Sequence, residues 1–218
     1  MRPIRRGDSV RQPPRRQRLP VGHRFRAVLR AAALAFRMAL TATISTFDIA
    51  LNDVDRHVYE ELSLKVARHP SETEDYLWTR VLAYCLEYTE GIAFSKGGLS
   101  DPDEPAILVR DLTGTITAWI EVGAPDAARL HKASKAAPRV VLYTHKDPRL
   151  LMRGYEGARI HRAEDLDIFA VDRQLLDALA DQLDKRVKLS LSVTDGQLYV
   201  ELNGAVHSGT VERLTLPT

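Results

Sequence analysis

Two acidic residues lie in neighbouring segments whose pairing would bring their carboxylates together. Glu121 belongs to the strand-like run "TAWIEV", and Glu104 belongs to the run "DEPAILVRD" that precedes it. With a tight turn midway between the runs, Glu104 lies directly opposite Glu121, whereas a slip of one or two residues would place Asp103 or Ala106 there. Like charges on directly opposed residues destabilise a strand pair, so this spacing indicates a cation between the two carboxylates.

The type of these ligands favours a hard divalent ion. Carboxylate oxygens are typical ligands of Mg²⁺ and Mn²⁺, ions that commonly act on phosphate esters. We therefore predict that Glu104 and Glu121 bind Mg²⁺ or Mn²⁺. Zinc is not expected, because the seven histidines and the single Cys85 form neither an H-E-x-x-H motif nor a paired-cysteine motif.

The pattern around these acids is that of a mixed α/β protein. In an extended strand Glu121 shares one face with Trp119, while the apolar Ile120 and Val122 share the other, so we expect Glu121 to point away from the core. Helices are predicted at 71–88, 126–136, 147–155 and 173–183, and strands at 41–50, 59–66, 106–110, 115–122, 139–145 and 167–171. The predicted fold is a mixed β-sheet flanked by helices.

Two local signals are more specific. Ser71 and Glu74 fit the S-x-x-E capping box at the start of the first helix. The pairs Asp195-Gly196 and Asn203-Gly204 fit tight hairpin turns within a C-terminal antiparallel β-meander over residues 187–214. We expect this meander to close the sheet.

Charge divides the chain sharply. Residues 1–37 contain eleven arginines and one acid, a net charge of +10, whereas residues 38–218 contain 20 basic and 28 acidic side chains, a net charge of −8 with neutral histidines. We expect residues 1–37 to be a disordered extension before a single domain at 38–218. A basic arm, an organellar targeting peptide and a start assigned too far upstream each explain the extension. We favour the last, because every basic residue there is arginine and a patterned strand begins at Met38.

The composition also restricts location and partners. No apolar run is long enough for a membrane-spanning helix, and one cysteine cannot form an internal disulfide, so we expect a cytoplasmic protein without a membrane segment. An acidic domain repels nucleic acid unless its basic residues cluster on one face.

Four segments carry a resemblance to a known family: "MALTATI" from Met38, "ARHPSETEDYLWTRVLAY" from Ala67, "DEPAILVRD" from Asp103 and "WIEVGAPDAARLHKA" from Trp119. In this order they resemble the YaeQ family of small bacterial proteins over essentially all of residues 38–218. The resemblance implies a variant of the PD-(D/E)XK nuclease-like fold, in which acids on neighbouring strands, often with a glutamate from the preceding helix, form the active site.

The resemblance also implies roles for particular residues. Glu104 and Glu121 correspond to the strand acids, and Glu72 corresponds to the helix acid. The lysine of the motif would lie two residues after Glu121, where this chain has Gly123. Lys132, on the helix that follows, is our preferred substitute.

Two functions are compatible with these observations. In the first, a metal-dependent phosphodiesterase or nuclease, Glu104 and Glu121 bind Mg²⁺, Lys132 positions the attacking water, and Glu72 completes the acidic cluster. In the second, a degenerate nuclease scaffold binds nucleic acid or another protein as a regulatory protein, without hydrolysis. The first is our leading hypothesis, although the missing lysine counts against it and the acidic domain favours the second.

Overall fold

The computed structural model describes residues 42–95 and 104–216, which form one ten-stranded sheet with helices packed on it. The strands are β1 (Thr43–Asp53), β2 (Val58–Arg68), β3 (Ile92–Phe94), β4 (Ile107–Arg110), β5 (Ile116–Val122), β6 (Arg139–Thr144), β7 (Leu166–Val171), β8 (Arg186–Thr194), β9 (Gln197–Leu202) and β10 (Ala205–Leu214). The helices are α1 (Glu74–Leu86), α2 (Ala127–Ala136), α3 (Pro148–Arg153) and α4 (Arg173–Ala180), and Ala163–Asp165 forms a 3-10 turn.

The strand order in the sheet is β2-β1-β8-β9-β10-β7-β6-β5-β4-β3. The meander β8–β10 lies in the middle, because β8 pairs with β1 in parallel and β10 pairs with β7 in antiparallel orientation. The predicted meander is confirmed, and its turns have positive φ at both Asp195-Gly196 and Asn203-Gly204. The expectation that it closes the sheet is wrong, since it joins the two halves.

Helices cover both faces of the sheet, as predicted. Trp78 in α1 and Leu175 in α4 belong to the larger core, whereas Leu130 in α2 belongs to a smaller core that α3 also contacts. Ile120 lies in the larger core and its neighbour Trp119 in the smaller one, which places the two cores on opposite faces of β5. Among the described residues, no helix combines the length and apolar character needed to cross a membrane.

Helix α1 begins three residues later than predicted. Thr73 caps it, because the Thr73 hydroxyl accepts a hydrogen bond from the Tyr76 N–H at 3.2 Å. The Ser71 hydroxyl lies instead 2.6 Å from Nδ1 of His69. The predicted capping box at Ser71 is therefore wrong, and the segment before α1 makes a separate turn.

Candidate functional site

A pocket of about 430 Å³ opens at the carboxyl ends of β5 and β6, and we call it the strand-end pocket. Its walls come from the segment entering α1, the turn after β5, the start of α2 and the turn after β6. The lining residues are Ser71, Glu72, Thr73, Tyr76, Ala106, Glu121, Val122, Gly123, Ala124, Pro125, Arg129, His145 and Lys146.

The fold directs several helix N-termini to this edge. Strands β5, β6 and β7 are parallel, so their carboxyl ends meet at one edge of the sheet, where α/β proteins commonly bind ligands. Each is followed by a helix with an aspartate N-cap, and these caps are Asp126, Asp147 and Asp172. Helix N-termini carry unpaired N–H groups and favour negative charge.

Glu121 is buried at this edge, with only 3% of its surface exposed. The expectation that it points away from the core is wrong, because its face of β5, which also carries Trp119, packs the smaller core. Oε1 of Glu121 accepts one hydrogen bond from Nε1 of Trp119 and one from Nε of Arg129, both at 2.7 Å. The Trp119 contact follows from the strand alternation that the sequence predicts. The group that compensates the charge of Glu121 is thus a guanidinium from α2, which sequence reasoning did not identify.

Glu72 has the same kind of partner. Both of its carboxylate oxygens accept hydrogen bonds from Arg80 of α1, at 3.1 and 3.0 Å, and both side chains are nearly fully buried. Burial raises the pKa of Glu72 above its ordinary value, and the charge of Arg80 opposes that rise. Sequence reasoning missed Arg80, although a lone basic residue in an apolar helix is a usable signal for a buried acid.

Glu104 does not lie opposite Glu121. Strands β4 and β5 pair Ile107 with Ile120, and continuing this register by one step places Ala106 opposite Glu121. The backbone carbonyl of Glu104 accepts a hydrogen bond from Nη2 of Arg129 at 2.8 Å. The predicted facing pair of carboxylates is therefore wrong, and Arg129 connects the two segments instead.

The lysine that the sequence analysis preferred does not line the pocket. Lys132 is exposed on α2 and is not one of the residues that line the strand-end pocket, whereas Lys146 is. Gly123 has φ +99°, a conformation that favours glycine, and a Cβ there would lie 3.5 Å from the Tyr76 ring and 3.7 Å from His145. The pocket therefore gets its exposed ammonium group from the turn after β6.

Two further side chains give the pocket uncharged polar groups. Burial raises the pKa of the Tyr76 hydroxyl to about 12. Burial, with the nearby charge of Lys146, lowers the pKa of His145 to about 4, so the imidazole is neutral at pH 7. The two rings meet edge to face, with centroids 5.9 Å apart.

The described residues fit a divalent cation poorly. Within residues 42–95 and 104–216 no group of three or more His, Cys, Asp or Glu side chains converges as metal ligands do. Glu121 and Glu72 share the strand-end pocket, but each is bonded to its own guanidinium. A metal ion at Glu121 would compete with Arg129 for the same carboxylate.

Comparison with known proteins agrees with the arrangement of elements. Two solved structures are similar: the YaeQ protein from Pseudomonas syringae (34% identity, TM-score 0.72, covering 80% of this chain and 96% of that one) and the YaeQ protein from Xanthomonas axonopodis pv. citri (29% identity, TM-score 0.73, covering 81% and 100%). The Escherichia coli relative described as "Uncharacterized protein YaeQ" is 30% identical over 164 residues, 75% of this chain and 90% of that protein. The family model described as "YaeQ protein" matches residues 38–210. This chain belongs to the YaeQ family.

Proposed function

We propose that this chain binds nucleic acid at the strand-end pocket without hydrolysing it. The observation that carries the proposal is the ion pair between Arg129 and Glu121, because it supplies from within the protein the positive charge that a catalytic metal would otherwise supply. Glu72 is compensated in the same way by Arg80. Gly123, at the position of the motif lysine, has no side chain that could assist hydrolysis.

The charges that remain at the pocket suit a phosphate group. Lys146 is exposed at its wall. Since residues 38–218 carry a net charge of −8, few phosphates can be neutralised at once. We therefore expect weak binding with a shallow salt dependence, which favours short single strands over long duplexes.

Metal-dependent phosphodiester hydrolysis is the second candidate. One observation favours it: Glu72, before α1, and Glu121, on β5, line one pocket, as the acids of the nuclease-like family would. In this alternative Glu121 and Glu104 would hold Mg²⁺ or Mn²⁺ in place of Arg129, and the ion would activate the attacking water. Lys132 or Lys146 would then act on the water.

Fluorescence anisotropy separates the two candidates. Labelled single-stranded DNA, duplex DNA and RNA are titrated with the protein in EDTA, Mg²⁺ or Mn²⁺, and the products are then resolved on a denaturing gel. Metal-independent binding with intact nucleic acid supports the proposal, whereas cleavage that Glu121→Gln abolishes supports hydrolysis. No binding and no cleavage would reject both.

Two controls assign the binding to the pocket. Lys146→Ala is expected to weaken binding about threefold to tenfold, whereas Lys65→Ala, at an exposed position on β2, is expected to change it little. A chain that begins at Met38 removes the arginines of residues 1–37, so a signal that vanishes with them did not come from the pocket.

A further inference from the structure

A second cavity adjoins the strand-end pocket. It measures about 410 Å³, lies at the carboxyl end of β7 beside the N-terminus of α4, and is walled on its far side by β10. His145 and Lys146 line both cavities. The turn after β6 is therefore the boundary between two neighbouring pockets.

His145 is a buried polar side chain at this boundary. Only 5% of its surface is exposed, and its Nδ1 has no hydrogen-bond partner among residues 42–95 and 104–216. Its charged neighbours are Lys146, Asp75 and Arg173, and the neutral imidazole keeps one N–H donor and one acceptor nitrogen. A buried polar atom without a partner is costly, so a water or a ligand that reaches Nδ1 would stabilise the folded protein.

The two pockets offer different chemistry. Lys146 gives the strand-end pocket an exposed positive group for a phosphate. The second pocket is lined by the carboxylates of Asp172 and Glu212 and by the guanidinium of Arg173. Asp172 also caps α4, and Arg173 also pairs with Asp75 and Asp177. A mixture of donors and acceptors suits the edge of a nucleobase, which also presents both, better than it suits a second bare phosphate.

We infer that the two pockets form one site for two successive nucleotides of a single strand, an inference that rests on the nucleic-acid binding proposed above. His145 hydrogen-bonds the ligand where the pockets meet. A single strand exposes its base edges, whereas a duplex would first have to unpair to insert them. The site therefore selects single strands over duplexes.

Isothermal titration tests this inference with deoxycytidine monophosphate and its 5′-phosphorylated dinucleotide. Cytosine is chosen because its amino group can donate to the carboxylates of the second pocket. On the unmodified chain we expect the dinucleotide to bind about tenfold more tightly than the mononucleotide, the gain typical of one additional recognised base.

Two variants locate the second nucleotide. Thr210→Trp fills the second pocket from an exposed position on β10, so dinucleotide affinity should fall to the mononucleotide level while mononucleotide affinity stays unchanged. Val206→Trp is the matched control, because it adds the same ring to the same strand about 13 Å away, outside both pockets. His145→Phe keeps a ring of similar size and removes the hydrogen bond, and it should weaken dinucleotide binding about tenfold.

The outcomes separate this inference from the proposed function. If the protein binds the mononucleotide and Thr210→Trp leaves dinucleotide affinity unchanged, the second subsite is rejected while binding at the strand-end pocket stands. If His145→Phe has no effect and Thr210→Trp acts as expected, the subsite stands and the role of His145 is rejected in favour of a bound water. If neither nucleotide binds, the proposed function and this inference both fail.

Discussion

Nε of Arg129 lies 2.7 Å from Oε1 of Glu121, and the two residues are eight positions apart, one on α2 and the other on the strand that precedes it. The same guanidinium reaches the backbone carbonyl of Glu104 at 2.8 Å. Arg129 therefore stabilises a buried carboxylate and also fixes the segment that enters β4. A charged residue in an apolar strand is explained here by a cation that the protein itself provides.

We predict that Arg129→Met destabilises the protein by about 3 kcal/mol, because it leaves Glu121 buried and charged without its partner. Glu121→Gln should cost about 1–2 kcal/mol, since the amide oxygen still accepts from Trp119. The double variant should be less destabilised than the sum of the two, by about 1–3 kcal/mol. Urea denaturation of the four proteins measures this coupling.

The matched control is the exposed pair between Arg186 and Asp48, whose nitrogen and oxygen lie 2.8 Å apart. Arg186→Met should cost no more than about 1 kcal/mol, because solvent screens the pair. Equal effects at Arg129 and Arg186 would show that burial does not govern the strength of the Glu121 pair.

For the second buried pair, we predict that Arg80→Leu destabilises the protein at neutral pH by about 3–5 kcal/mol, because Glu72 then remains buried without a counter-charge. Burial already raises the pKa of Glu72, and loss of Arg80 raises it further. When the pKa of a carboxyl is higher in the folded state than in the unfolded chain, its protonated form favours folding. This contribution to stability is complete below the ordinary pKa and is lost as pH rises through the folded-state pKa. The destabilisation should therefore be smaller at pH 4 than at pH 7.5.

Chemical denaturation of the unmodified protein and Arg80→Leu at those two pH values measures the difference. Arg186→Met again serves as the control, and its effect should not grow in the same way toward neutral pH. A cost of Arg80→Leu that is the same at both pH values would contradict the account of Glu72 as an uncompensated buried acid.

Much of the secondary structure is readable from the sequence because its signals are local. Apolar periodicity and the Asp195-Gly196 and Asn203-Gly204 turns depend on residues within one segment, and these predictions are confirmed. The position of the meander within the sheet depends on a distant segment, since β8 pairs with β1, more than a hundred residues earlier in the chain. Strand β3, only three residues long, gives too short a pattern to be recognised.

The site was predictable only in part, for a related reason. Strand alternation correctly placed Glu121 beside Trp119, because that relation is fixed within one strand. The partner of Glu121 across β4 depends on register, and an irregularity between Val109 and Arg110 shifts it in a way that counting through the turn cannot show. The cation that reaches Glu121 comes from α2 and depends on how that helix packs on β5. Arg80, which reaches Glu72, left a signal in the sequence of α1 that was missed.

Close packing of α4 on β10 gives a further prediction. At Gly209 an added Cβ would lie 2.7 Å from Cβ of Leu175 and 2.9 Å from Cβ of Asp172. Gly209→Ala should therefore destabilise the protein by about 1–3 kcal/mol through overpacking, as measured by thermal unfolding. Ser208→Ala, at the exposed neighbouring position, should change stability by less than about 0.5 kcal/mol. If the two variants unfold at the same temperature, α4 can shift away from β10 and the overpacking argument is wrong.

The last prediction concerns His145, which lines both pockets. Its pKa is lowered from 6.5 to about 4, chiefly by burial and secondarily by the charge of Lys146, whereas Asp75 opposes the shift and Arg173 adds to it. The unfolded chain therefore takes up a proton near pH 6.5 while the folded protein resists it until about pH 4, so stability should fall as pH decreases through this range. His145→Phe should remove this pH-dependent contribution to stability. The urea midpoint of the variant should therefore fall less steeply between pH 7 and pH 4 than the midpoint of the unmodified protein. Val206→Phe is the control, because it changes an exposed residue that does not titrate, and it should keep the original slope.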